Sequence, residues 1–102
     1  MIEPAVDGTL RFWLYSARDG GRRSPILASD GYWSCIIFDG ANNWDALIWL
    51  NGSGLELETS YVRSVTFLSP AAAGDALCPG IPLKLRELGI VGEGEILENF
   101  HR

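Results

Sequence analysis

Histidine occurs once in this 102-residue chain, at position 101, and cysteine twice, at positions 35 and 78. Two cysteines are too few for a disulfide-stapled scaffold, and two Cys with one His lack the close-spaced ligand pairs of a zinc site. No metal or cofactor is therefore expected. Nucleophilic catalysis is narrowed to Cys35 or Cys78 acting with His101. That pairing requires a side chain one place from the C-terminus, where chains commonly fray, to be anchored. No apolar run approaches the ~18–20 residues of a membrane-spanning helix, and the opening Met-Ile-Glu-Pro lacks the basic-then-apolar order of an export leader. A soluble, cytoplasmic chain with reduced thiols is expected. A Gly-x-x-x-x-Gly-Lys-Ser/Thr phosphate loop is also missing, which excludes nucleotide hydrolysis of that type.

Basic charge is scarce as well, with 8 Lys and Arg against 13 Asp and Glu and a net charge of −5. Binding that neutralises many phosphates needs a basic surface, so general nucleic-acid affinity is disfavoured. Seven of the eight basic residues are Arg, which suits planar, paired contacts better than diffuse attraction. Their distribution is uneven. Arg11, Arg18, Arg22 and Arg23 cluster near the start, and Glu87, Glu93, Glu95 and Glu98 crowd the end. Salt bridges between the two clusters are the plainest reading of that division.

What the chain does have is a globular composition, 47% hydrophobic with 12 Gly, in a length that suits one domain over residues 1–102. Period-two patterning dominates. Residues 10–15 alternate Leu10, Phe12, Leu14 against Arg11, Trp13, Tyr15, which predicts a strand with one buried face. Asp19-Gly20-Gly21 is a turn signal. Residues 26–27 read as a short extended piece, and Tyr32–Phe38 as a strand buried on both faces. Residues 39–43 read as a loop. Residues 46–50 are read as a strand, which Ile48 and Trp49 favour and Asn51-Gly52 stops early; a helix through 44–50 capped by Asn43 is the alternative. Residues 55–58 alternate as another strand, 61–68 form the central one, and Pro70 ends it. Residues 71–76 suit one helical turn. Residues 83–87 and 91–97 pair through a turn at 88–90, with Gly92 and Gly94 marking close backbone approach. The sum is an all-β barrel or sandwich of six to seven antiparallel strands.

Three segments carry a family resemblance: Gly20-Gly21-Arg22-Arg23-Ser24-Pro25, the strand Val62 to Pro70, and Arg86-Glu87-Leu88-Gly89-Ile90-Val91-Gly92-Glu93-Gly94. In this order and at these distances the chain, over residues 8–98, resembles the C-terminal β-barrel domain of translation elongation factor Tu. The resemblance implies a six-stranded antiparallel Greek-key barrel. It also implies that Arg22 and Glu87 occupy the positions of two groups that touch the T-stem of aminoacyl-tRNA in that family. The hairpin turn at 88–90 is one residue shorter than the family's and lacks its second arginine, and residues 39–58 do not follow the family.

The remaining candidates are aromatic and acidic. Trp13 and Tyr15 lie opposite the core face of their strand, so the pair is free to join Arg18, Arg22 and Arg23 in a binding patch, Trp and Tyr being common interface anchors. Glu93 and Glu95 share a strand face, as paired glycosidase acids do, but solvent-facing glutamates on a barrel wall are the reading adopted. The function expected is a non-enzymatic binding module for a protein partner, which the resemblance places in translation. Its expected contacts are Arg18, Arg22, Arg23, Trp13, Tyr15 and Glu87, and a spare aromatic patch also allows a homodimer. RNA or tRNA binding through the 18–23 turn is the alternative, and a small hydrolase the third.

Overall fold

A computed structural model describes residues 5–27 and 31–101; the N-terminal residues that bear on the leader lie outside them. The elements are β1 (Gly8–Leu14), a 3-10 turn (Ala17–Asp19), β2 (Tyr32–Phe38), β3 (Asn43–Trp49), β4 (Tyr61–Phe67), α1 (Pro70–Ala76), β5 (Pro82–Arg86) and β6 (Ile90–Asn99). The six strands close into a barrel in the order β1-β4-β3-β2-β5-β6, with every neighbouring pair antiparallel. β2, β3 and β4 are consecutive and β5 returns to lie beside β2, which is the Greek-key arrangement.

Alternation decides which side chains fill the interior. Leu10, Phe12 and Leu14 of β1 are fully buried, as are Ile37 of β2, Ile48 of β3, Val65 of β4 and Leu85 of β5. Ala73 and Leu77 from the α1 region close the end where β1 begins, and Ile26 and Leu55 belong to the same core from the other end. β6 contributes Gly94 and Gly92 opposite Phe12 and Leu14. A Cβ at Gly94 stands 2.1 Å from the Arg11 carbonyl oxygen, and one at Gly92 2.5 Å from that of Trp13. Glycine is what lets the last strand lie against the first and leaves the interior to the larger residues of β1. The two charge clusters meet on the outside of this seam, where Arg11 Nη1 lies 3.0 Å from Glu95 Oε1.

Three expectations need correction. Residues 55–58 do not form a strand: Leu55 alone pairs, exchanging backbone hydrogen bonds with Ile26 at 2.8 and 2.9 Å. Glu58 adopts a left-handed φ of 59° and donates its N–H to the Leu14 carbonyl. The alternation there marks a lid with Leu55 buried and Leu57 partly buried, so six strands form. β2 buries one face, because a closed barrel has one interior; Tyr32 and Ser34 are exposed on the outside. Gly74 makes room for the C-terminal segment, since a Cβ there lies 2.5 Å from that of His101. His101 is not frayed. Its Nε2 lies 2.7 Å from Asp7 Oδ1, and its N–H donates to Asn99 Oδ1 at 3.0 Å.

β3 starts at Asn43, one residue earlier than the loop reading allows, and excludes the helix through 44–50. Asp39 sets this start. Its carboxylate accepts the N–H groups of Ala41 and Asn42 and the indole N–H of Trp44, at 2.8, 2.7 and 3.0 Å. The Trp44 bond, followed by those of the backbone, holds the Asp39 carboxyl below its ordinary range. A lowered folded-state value means that this contribution is present above the ordinary aspartate range and is lost as pH falls through the lowered value. The Trp44 indole proton, followed by NMR in an acid titration, is expected to move with a midpoint below ~3.9.

Candidate functional site

The 3-10 turn after β1 ends at Gly20, whose φ of 85° reverses the chain, and the Gly21 N–H donates to the Ser16 carbonyl at 2.9 Å. Gly21 then passes so close to Tyr15 that a Cβ stands 2.3 Å from its carbonyl oxygen. This close pass carries Arg22 over the barrel end toward the β5–β6 hairpin. Arg22 Nε donates to the Ser24 carbonyl at 3.1 Å, and Arg22 Nη1 binds the Glu87 carboxylate. Trp33 Nε1 donates to the same carboxylate at 3.0 Å. Both ends of the ion pair are about three-quarters buried or somewhat less, with side-chain exposures of 23% and 31%.

Around this junction lies a cleft of ≈ 450 Å³, walled by Arg22, Ser24–Leu27, Tyr32–Ser34 and Glu87. A second cleft of ≈ 390 Å³ continues past Ser34 and Glu87 to Ile36, Asp45, Arg86 and Leu88. Leu27 and Leu88 are exposed apolar side chains beside the two, and Tyr32 is 41% exposed. Two of the six sequence-predicted residues, Arg22 and Glu87, thus come together. Arg18 and Arg23 stand exposed on the same loop.

Trp13 and Tyr15 do not wall these two clefts. They occupy the outer face of β1, where Tyr15 Oη donates to Glu93 at 2.9 Å and accepts from Lys84 Nζ at 3.2 Å. That bond from Tyr15, with the charge of Glu93, raises the Lys84 pKa. Glu93 and Glu95 are engaged by Tyr15 and Arg11 and not by each other. Trp13 borders a shallow hollow of ≈ 220 Å³ with Arg11, Gly80, Pro82, Gly94 and Glu95.

Burial, with the nearby charge of Glu87, pushes the Cys35 thiol up, away from the thiolate that a nucleophile needs. Cys35 faces the barrel interior, whereas His101 is held by Asp7 at the end where β1 begins. Among the described residues no group of three or more His, Cys, Asp or Glu side chains converges, and no helix is long and apolar enough to cross a membrane.

Sequence reasoning missed Leu27, Tyr32 and Ser34 as cleft residues. The signal was present in Tyr32–Phe38: Tyr32, Ser34 and Ile36 alternate with Trp33, Cys35 and Ile37, but the run as a whole is apolar enough to pass for a doubly buried strand. No protein-family model matches the chain, and no curated protein matches it in sequence.

Proposed function

We propose that this chain is a non-enzymatic binding module that engages a protein partner through the cleft between β2, the loop at 22–27 and the β5–β6 hairpin. One observation carries the reading. Arg22 and Glu87 satisfy each other and Trp33, so the formal charges that wall the first cleft are already matched, and apolar side chains stand at the rim of the two clefts: Pro25, Leu27, Tyr32 and Leu88. Matched charge beside exposed apolar side chains suits a protein surface better than a row of phosphates. A place in translation rests on the three resembling segments alone.

RNA binding is favoured by Arg18 and Arg23, which are exposed and have no partner among the described residues. The two readings separate on salt and on substitution. A partner recovered from native extract should survive nuclease and lose at least about 10-fold in affinity with Leu27→Asp, as expected for a desolvated apolar contact. Arg18→Ala with Arg23→Ala should change it less than about 3-fold. Nuclease-sensitive capture, with affinity falling steeply as salt rises, would replace this reading with the RNA one.

A further inference from the structure

The clefts lie where the barrel wall is incompletely zipped. β2 runs over Tyr32–Phe38, yet it pairs with β5 only through Ile36, Ile37 and Phe38. Its phase is fixed on the other side, where the Leu50 N–H donates to the Gly31 carbonyl and Trp33 pairs with Ile48. Trp33, Cys35 and Ile37 therefore turn their backbone groups to β3, and Tyr32, Ser34, Ile36 and Phe38 turn theirs the opposite way. Ile36 and Phe38 meet Arg86 and Lys84 of β5. Beyond Arg86 the hairpin departs, and the backbone N–H and C=O of Tyr32 and Ser34 have no partner among the described residues. Ser34 lines both clefts.

The other short seam is treated differently. β3 pairs with β4 only through Ala46–Ile48, but beyond it the Val62 carbonyl accepts Arg63 Nη1 at 3.0 Å, and Leu57 and Tyr61 pack on the core beside Leu55. A side chain of the chain itself thus meets one carbonyl of that gap, whereas both rungs beside β2 stay open among the described residues.

We infer that the free edge at Tyr32 and Ser34 takes an extended segment of a partner protein as an added β-strand, an inference that rests on the protein-binding reading above. Two open rungs about 7 Å apart offer alternating donors and acceptors to a backbone, whatever its side chains. Ser24–Leu27 on one side and Leu88 on the other wall the space, so it suits a lone strand and not the flank of another barrel. Side chains of the incoming strand that turn outward lie beside Tyr32 and Ile36, with Leu27 walling the same cleft, which selects apolar residues at alternate positions.

The probe is a phage-displayed library of random heptapeptides selected on the full chain, followed by synthetic copies of the selected peptides carrying single backbone N-methyl groups. Ser34→Pro deletes one edge donor without touching the β2–β3 ladder, and proline is tolerated where the N–H faces outward. Ser34→Ala keeps the donor. Selected peptides are expected to bind Ser34→Pro at least about 10-fold more weakly and Ser34→Ala within about 3-fold. N-methylation should abolish binding at every second position only. If Ser34→Pro does not fold, that alternation decides alone. Peptides that lose binding with Leu27→Asp but tolerate every N-methyl group overturn the strand and leave the cleft standing. No selected peptide overturns both. A dimer dispersed by Ser34→Pro, seen by sedimentation, overturns the inference by assigning the edge to a second copy.

Discussion

Gly94→Val is expected to leave the chain unable to close its barrel, giving a denatured circular-dichroism spectrum and no cooperative thermal transition. Gly94 sits on β6 between Phe12 of β1 and Leu83 of β5. Its missing Cβ is the reason those strands fit: the position such an atom takes is 2.1 Å from the Arg11 carbonyl oxygen and 2.7 Å from the Cβ of Phe12. The first of these is backbone, and no rotamer change relieves it. The β1–β6 seam ties the two ends of the chain, so separating it removes the closure on which every other pairing depends. A loss above about 4 kcal/mol is expected, a large share of the ~5–15 kcal/mol that holds a domain folded. Gly89 is the control. It lies in the β5–β6 turn with open space within 4 Å of where a Cβ would stand and no positive φ, so Gly89→Val should fold and melt within a few degrees of wild type. A cooperative Gly94→Val melt near the wild-type temperature would show that the seam does not close as described.

Asp7→Ala is the second substitution expected to be severe. Asp7 is 5% exposed, and its carboxylate accepts the Phe67 N–H at 2.8 Å and meets His101 Nε2 at 2.7 Å. Its own N–H donates to the Val65 carbonyl, and its carbonyl accepts the Phe100 N–H at 2.9 Å. One residue thus joins the start of β1, the end of β4 and the C-terminal segment. Alanine keeps the backbone bonds but leaves the buried Phe67 N–H without an acceptor, which costs about 1–3 kcal/mol, and it also frees His101. A total near 3 kcal/mol corresponds to a fall in Tm of about 10–20 °C for a domain of this size. Asp7→Asn keeps an acceptor for Phe67 and should fall between. His101→Ala removes only the partly exposed partner and should cost about 1 kcal/mol. If the two alanine variants melt alike, the Phe67 bond contributes little and the weight of this junction lies with His101.

The parts of the site that were legible in the sequence are those set by local pattern or by charge. Alternation in β1 placed Trp13 and Tyr15 outside, and the paired glycines of β6 announced a close approach. The separation of arginines from glutamates anticipated the Arg11–Glu95 and Arg22–Glu87 contacts. The same charge logic did not show that Arg22 and Glu87 engage each other inside a cleft, because Trp33, which shares the carboxylate, lies 54 residues from Glu87. His101 looked like a loose end because nothing near it in sequence binds its side chain. Its partners Asp7 and Gly74 arrive only when both ends of the barrel wall are in place.

By itself the sequence determined which side chains enter the barrel where polar and apolar residues alternate, as in β1, since a strand's two faces repeat every second residue and burial of apolar groups selects one of them. It likewise determined where the chain must turn. The tertiary structure alone decided how far each strand remains paired. Alternation at Leu55 and Leu57 became a lid and not a strand because Ile26 offers one bridge and then departs. β2 outruns its partner at Ile36 because β5 ends at Arg86, and the free rungs at Tyr32 and Ser34 follow. Pairing length is set by where neighbouring segments, distant in sequence, begin and end, and no periodicity within a strand carries that information.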